Sequence, residues 1–291
     1  MNVYPLEFRL GPLHVTGFGI MMMLAFLVTG WLAGLELKRR GLNEVYASDC
    51  LMGAVIGGIV GAKLWYVALT GASPFSTGGF VWYGGFLGGV IGVMLVGMTK
   101  KVPLRWTMHI VGPVLAAGYA VGRVGCFLVG DDYGRPTNVP WAVRFPEGMP
   151  PSTAANLQAF SVGIPEGTNP ATVLAVHPTQ LYEVAIMLAV FAWMWPQRKR
   201  TDWGIGTMFP LYLMFAGAER FVIEIFRAKD DRFLGPFTIA QATSVVLIVI
   251  GALLFARLRR AGRRHRVGSA RRRRGGWRRA GPRRSPGRGR G

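Results

Sequence analysis

Charge is what this sequence has least of. Only 16% of its 291 residues are Asp, Glu, Lys or Arg, while 51% are hydrophobic. A soluble domain of this length carries about 25% charged residues, so a solvated globular surface is excluded for most of the chain. Cysteine is scarce as well. Cys50 and Cys126 suggest neither a disulfide framework nor a metal site. The four histidines, at 14, 109, 177 and 265, never fall at metal-ligand spacing. The N-terminus lacks a basic region and a small-residue cleavage site, so the first apolar stretch is expected to be retained as a helix. The two halves show no inverted repeat, which argues against a transporter. Acid is missing altogether from residues 257–291, which hold 16 Arg. Setting those 16 aside lowers the formal charge from +20 to +4, so the basicity belongs to one segment.

What is present is long apolar runs. A membrane-spanning helix takes roughly 20 mostly apolar residues. Seven windows qualify, at 14–35, 48–70, 80–98, 106–128, 179–196, 205–226 and 237–256. Backbone polar groups in a bilayer must be bonded within the segment, so these windows are expected to be helices. The expected fold is therefore an all-α polytopic membrane protein of about seven transmembrane helices. Residues 1–256 form its body, with an extracytoplasmic loop at 129–178, and residues 257–291 form a disordered Arg-rich cytoplasmic tail. Lys38, Arg39 and Arg40 share one loop, Lys100, Lys101 and Arg105 another, and Arg198, Lys199 and Arg200 a third. The alternate loop 71–79 has no charge, and 129–178 has only Arg135 and Arg144 as basic residues. Basic loops stay in the cytoplasm, which puts the N-terminus outside and the C-terminus inside. The tail suits anionic lipid headgroups. Its attraction to nucleic acid would be nonspecific, so no specific nucleic acid is expected. Glycines recur every fourth residue at Gly53, Gly57 and Gly61, at Gly84, Gly88 and Gly92, and at Gly118 and Gly122. Such faces let helices pack at backbone distance.

Charges inside spans are costly and point to function. With this topology they gather at one depth. Arg123 falls near the outer end of the fourth span. Arg220, Glu224 and Arg227 are spaced i, i+4 and i+7, on one face in the outer half of the sixth. Glu219 points about 100° away. His177, Gln180, Tyr182 and Glu183 open the fifth span around Pro178, a helix-start residue. Tyr83, Gly84 and Gly85 open the third, and Asp131, Asp132 and Gly134 follow the fourth. Five distant segments thus put polar groups into the outer-leaflet half, as a polar cavity open to lipid would require. Paired arginines suit a phosphate, which guanidinium binds bidentately. The plainer reading for a single residue is mutual neutralisation of Arg220 and Glu224, or snorkelling of Arg123. Lys63 and His109 lie nearer the cytoplasmic side and read as structural. The inner halves otherwise lack polar residues, which argues against a channel.

The run Gly122-Arg123-Val124-Gly125-Cys126-Phe127, with Asp131, Asp132 and Gly134 after it, resembles the signature of the prolipoprotein diacylglyceryl transferase family. Tyr83-Gly84-Gly85 is similar to that family's His-Gly-Gly or Tyr-Gly-Gly segment. His177-Pro178-Thr179-Gln180-Leu181-Tyr182-Glu183 resembles its His-Pro-Ser/Thr-Gln-Leu-Tyr-Glu segment. Arg220-Phe221-Val222-Ile223-Glu224, with Arg227, resembles its Arg-Phe-x-x-Glu segment, and Gly17-Phe18-Gly19 stands in place of a Tyr-Gly pair. The resemblance runs over about residues 5–256, in the right order.

The resemblance implies transfer of a diacylglyceryl group from phosphatidylglycerol to the lipobox cysteine of prolipoprotein signal peptides. A thioether forms and glycerol phosphate is released, the first step of bacterial lipoprotein maturation. It implies a multi-pass protein of the bacterial cytoplasmic (inner) membrane, with its active site toward the outer leaflet and with no metal or cofactor. The alternative is a membrane protein that keeps the lipid pocket without catalysis. Arg123 and Arg220 are the expected stabilisers of phosphate charge, with Glu224 orienting Arg220. Gly84 and Gly85 would let backbone approach the headgroup. Asp131, Gly134, His177, Gln180, Tyr182, Glu183 and Phe18 are the remaining substrate-binding candidates. Four positions depart from the family pattern. Tyr83 stands where some members carry a histidine proposed as the base, and a phenol with pKa about 10 is a poor base at neutral pH. Tyr83 is therefore assigned hydrogen bonding to the headgroup or thiol. Cys126 replaces an Asn, Phe18 a Tyr and Ala216 a Tyr, while Glu219 adds a carboxylate.

Overall fold

The computed structural model describes residues 1–279, apart from 12, 76–78, 80, 201, 229–231 and 235–236. It is helical, and each of the seven apolar windows holds a helix. These are α1 (Gly17–Arg39), α2 (Val45–Thr70), α3 (Trp82–Thr99), α4 (Leu104–Val129), α6 (Thr179–Gln197), α7 (Met208–Ile223) and α8 (Ile239–Arg279). A short α5 (Ala154–Ala159) lies in the long connection between α4 and α6. Hairpins β1–β2 (Glu7–Leu10 with Leu13–Thr16) and β3–β4 (Arg232–Leu234 with Phe237–Thr238) precede α1 and α8. Neither α5 nor the hairpins carries a long apolar run that would have announced it. Among the described residues, four helices are long and apolar enough to cross a membrane: α1, α2, α4 and the Ile239–Gly262 part of α8. Thr16 caps α1 by accepting from the Gly19 N–H at 3.1 Å. α4 stops at Gly130, whose φ of 68° is easy only for glycine and turns the chain straight into the polar segment that follows.

α4 is the central element. Half of its apolar window is buried, against 6% for α2. Ile110, Val114 and Ala117 pack on Leu32, Ala33 and Leu37 of α1 and on Tyr46 and Ala47 of α2. Its next face, Ala116 and Ala120, meets Met187, Val190 and Met194 of α6 and Met208 and Leu211 of α7. The alanines keep α4 slender enough for all its neighbours to close on it.

The glycine repeats of α2 and α3 face each other in antiparallel register. Gly53 meets Gly92, Gly57 meets Gly88 and Gly61 meets Gly84, and a Cβ on any of the six would collide with partner backbone. The expected tight packing is therefore present, and it accounts for Gly84 as well. The repeat in α4 behaves differently. Gly118 abuts Thr29 of α1, but a Cβ on Gly122 would meet nothing within 4 Å. Among the described residues, Gly122 is thus not a close-packing residue.

The two ends of α4 differ in chemistry. At its start, Glu36 is 1% exposed and is gripped by Arg39, Arg40 and Arg198, the last at 2.9 Å. His109 joins the same cluster. It accepts from the Gly206 N–H on Nδ1 at 3.2 Å, and Nε2 donates to the Arg198 carbonyl at 3.1 Å, so it ties loops together as expected of a structural residue. Lys63 lies over the Tyr66 ring, 5.4 Å from its centroid. Beyond the other end of α4, residues 130–178 fold into a compact unit with its own apolar centre of Tyr133, Val143, Phe145, Leu157 and Val176. Tyr133 stacks on Phe145 at 5.5 Å. α8 runs unbroken to Arg279, so the expected boundary between 256 and 257 falls inside a helix. Residues 280–291 of the expected tail lie outside the described residues.

Candidate functional site

Three guanidinium groups and three carboxylates interlock where α4, α6 and α7 end against the 130–178 unit. Arg123 projects from the last two turns of α4. Its Nε donates to Glu183 of α6, and its NH1 donates to Asp132 at 3.0 Å and to the Cys126 sulfur at 3.3 Å. Asp132 also accepts from Arg227 at 2.6 Å, so its carboxylate bridges two arginines. Arg220 pairs with Glu224 at 2.7 Å, and Arg227 stands 3.9 Å from the same carboxylate. The Glu183 and Glu224 side chains are each 1% exposed, and a carboxylate buried that deeply needs its cation.

Short backbone ties hold the polar segment in place. Gly134 donates to the His177 carbonyl at 2.8 Å, and Arg135 donates to the Phe226 carbonyl at 2.8 Å. Thr179 Oγ1 donates to the Asp132 carbonyl at 2.8 Å, and the Gln180 amide donates to that of Asp131. Gly134 is hemmed in by the Phe226 carbonyl and the His177 and Thr179 side chains, so it is glycine for close packing. Asp132 adopts φ 55°, in the left-handed region, and that turn aims its carboxylate between Arg123 and Arg227. Burial alone would raise the Asp132 pKa, but Arg227 and Arg123 outweigh it and hold the carboxyl down to about 2. Asp131 is shifted upward by burial and by the charge of Asp132. His177 is shifted downward by burial. Its Nδ1 lies 3.0 Å from the Tyr182 hydroxyl, which also accepts from the Trp141 indole at 2.7 Å.

Of the residues singled out in the sequence, Arg123, Arg220, Glu224, Glu183, Asp131, Gly134, His177, Gln180 and Tyr182 come together here. Arg227 does too, but not from the face of α7. That helix ends at Ile223, and Arg227 sits beyond it in an antiparallel bridge with Gly134. Helical periodicity placed it correctly for the wrong reason. Phe18 lies at the head of α1 with its backbone against Gly125 of α4. Tyr83, Gly84 and Gly85 belong to α3, which packs along α2 and nears α4 at its opposite end, where Gly97 lies by Thr107. Tyr83 is 64% exposed there. Trp141 and the bridging role of Asp132 were not foreseen. Two adjacent aspartates give no sign of which will meet the arginines until the turn at 132 is known.

The arrangement keeps capacity in reserve. Among the described residues, buried Arg123 NH2, Glu183 Oε1, Gln180 Oε1, Glu219 Oε1 and Asp131 Oδ1 have no hydrogen-bond partner. Buried polar atoms are nearly always satisfied, so these atoms concentrate unmet hydrogen-bonding capacity in one place. Arg220 is the most exposed of the three arginines, and a Cβ on Gly122, the neighbour of Arg123 in the chain, would meet nothing within 4 Å. The ligand atoms of Cys126, Asp131 and Asp132 lie within 4.8 Å of one another, a spacing that could hold a metal ion. Arg123 already donates to two of the three, so a guanidinium occupies the place a cation would take.

Residues 5–257 match the model of the family described as prolipoprotein diacylglyceryl transferase. Three relatives bear the name phosphatidylglycerol--prolipoprotein diacylglyceryl transferase. The protein of Clostridium tetani is 30% identical over 260 residues, covering 86% of this chain and 96% of its own. That of Geobacter sulfurreducens is 30% identical, with 86% and 93% covered. That of Bordetella avium is 31% identical, with 86% and 93% covered. By its motifs, its arginine cluster and these matches, the chain belongs to the prolipoprotein diacylglyceryl transferase family.

Proposed function

We propose that this protein transfers a diacylglyceryl group from phosphatidylglycerol to the lipobox cysteine of a prolipoprotein, releasing glycerol phosphate. Beyond family membership, the observation that carries the reading is the unpartnered, buried NH2 of Arg123, with the more exposed Arg220 as a second cation. The reaction displaces a phosphodiester oxygen from a glyceryl carbon. Negative charge grows on the phosphate as the C–O bond breaks, and cations already fixed in place stabilise it without reorganising. Glu183, Asp132 and Glu224 hold the guanidiniums at the required angles. Gln180, Asp131, Gly134, His177 and Tyr182 hold the turn that carries Asp132. Phe18 and the Tyr83-Gly84-Gly85 segment are assigned to the substrate approach, with Tyr83 contacting headgroup or thiol.

The membrane arrangement belongs to the same proposal. All seven apolar helices span the bilayer, the N-terminus is outside, and residues 130–178 are extracytoplasmic. Arg123 is 14 residues along α4 from His109, roughly 20 Å at 1.5 Å per residue. That distance supports a basic cytoplasmic end around Glu36 and a catalytic end at the outer leaflet of the inner membrane. The Arg-rich segment then lies in the cytoplasm against anionic headgroups.

The test is a transfer assay in detergent with purified protein, phosphatidylglycerol and a lipobox peptide, read by peptide mass. One diacylglyceryl group gained on cysteine is expected. No gain from folded protein, beside an active control enzyme, would favour the lipid-binding alternative.

A further inference from the structure

Every other glutamate of the cluster is committed to a guanidinium, and Glu219 is not. Its neighbour Arg220 turns to Glu224, and Arg123 turns to Glu183 and Asp132. Glu219 is 4% exposed, and its Oε1 has no hydrogen-bond partner among the described residues. Yet it lies within electrostatic reach of the cluster: of Arg123 and Tyr119 on α4, Glu183 on α6, Arg220 and Tyr212 on α7 itself, and Arg227 beyond α7. At this level α8 presents Ser244 against Gly217. A buried carboxyl with no ion-pair partner among the described residues, set among the groups that would hold the leaving phosphate, is suited to exchanging a proton.

We propose that Glu219 is the proton acceptor of the transfer, an inference that rests on the diacylglyceryl-transfer reading above. The acceptor thiol must lose its proton, because the thiolate is the nucleophile. The S–H bond breaks and its proton goes to the Glu219 carboxylate. The sulfur pair forms the S–C bond at the glyceryl carbon, and the C–O bond breaks with its electrons going to the phosphate oxygen. Glycerol phosphate leaves as a dianion between Arg123 and Arg220 and takes the proton from Glu219 as it departs, which restores the carboxylate.

The test compares wild type with Glu219→Gln, which keeps the shape and removes the titration. With a lipobox peptide, kcat is expected to fall by about 10²-fold or more, the usual worth of a general base, while the KM for phosphatidylglycerol stays within about threefold. The remaining rate should climb with pH toward the thiol's own ionisation near 8.5. A peptide carrying selenocysteine, whose selenol ionises far more readily, should restore most of the rate to Glu219→Gln. A structural role alone would not respond to the acceptor's acidity. Equal kcat and equal pH profiles in wild type and Glu219→Gln would overturn the proposal, as would a selenol that rescues nothing. So would loss of the acid limb in Asp131→Asn with its retention in Glu219→Gln. If Glu219→Gln does not fold, Glu219→Asp decides. It should keep the acid limb at reduced kcat, and a profile that instead follows the thiol would overturn the assignment. An inactive wild type would count against the transfer reading itself, so the two failures are distinguishable.

Discussion

At the residue scale, Arg123 is asked to do two things. It neutralises Glu183 and Asp132, and in the proposed reaction its unpartnered NH2 meets the phosphate. Arg123→Ala should therefore abolish transfer, with kcat lowered by at least about 10²-fold as when a preorganised donor is removed, while the protein still inserts. Detergent-extracted variant assayed beside wild type checks this, and wild-type turnover would sink the phosphate-clamp role. Asp132 has a calculable pH signature. Its carboxyl is held at about 2 in the fold, below the ordinary value near 3.9. A depressed carboxyl stabilises the fold fully above its unfolded value, and that contribution is lost as pH falls through the folded one. Thermal melting should show the full Asp132 contribution, without pH dependence from this group, between pH 5 and 8. A loss of stability between about pH 4 and 2 should be blunted in Asp132→Asn. The residue types of this cluster were legible in the sequence, because charge in an apolar span is conspicuous. Which carboxylate meets which guanidinium was not. That pairing depends on the φ of Asp132 and on backbone ties from Thr179, Gln180 and Phe226, none of which has a sequence period.

At the scale of elements, the glycine repeats separate what periodicity can and cannot say. Gly57 and Gly88 interlock so closely that any side chain must push α2 and α3 apart. Gly57→Leu should therefore cost several kcal/mol, in the range of severe overpacking, and abolish recovery of folded protein. Gly122→Ala, in a repeat of the same spacing, should be nearly neutral for stability because its Cβ enters open space. Size-exclusion profiles and melting curves of the two variants check the contrast, and equal damage from both would contradict it. The repeat itself was readable. Its partner helix was not, since two identical spacings differ only in what crosses them. The end of α7 at Ile223 was hidden for a related reason. The apolar pattern runs on toward 226, but the tie from Arg135 to the Phe226 carbonyl takes the chain out of the helix.

At the scale of the whole molecule, the protein divides into two chemistries, with one buried polar cluster toward each end of α4. The cluster around Glu36 should set stability, and the one around Arg123 should set turnover. Gly262 packs on Gly204, so the Arg-rich segment becomes dispensable only beyond that contact. Deleting 263–291 should accordingly leave transfer in detergent intact, and a folded but dead truncation would show that the segment takes part. Glu36→Gln tests the division more sharply. It removes the single carboxylate held by three arginines, one of them, Arg198, with a side chain only 8% exposed. A buried cation left without its partner costs on the order of 3 kcal/mol, so the variant should melt well below wild type. Its folded fraction should nevertheless transfer at the wild-type kcat, because the altered group lies roughly 20 Å along α4 from the phosphate clamp. Melting measured beside kcat per folded molecule decides. A fall in kcat that outlasts correction for folding would mean that the two ends communicate through α4, and that its alanine-lined packing carries more than support.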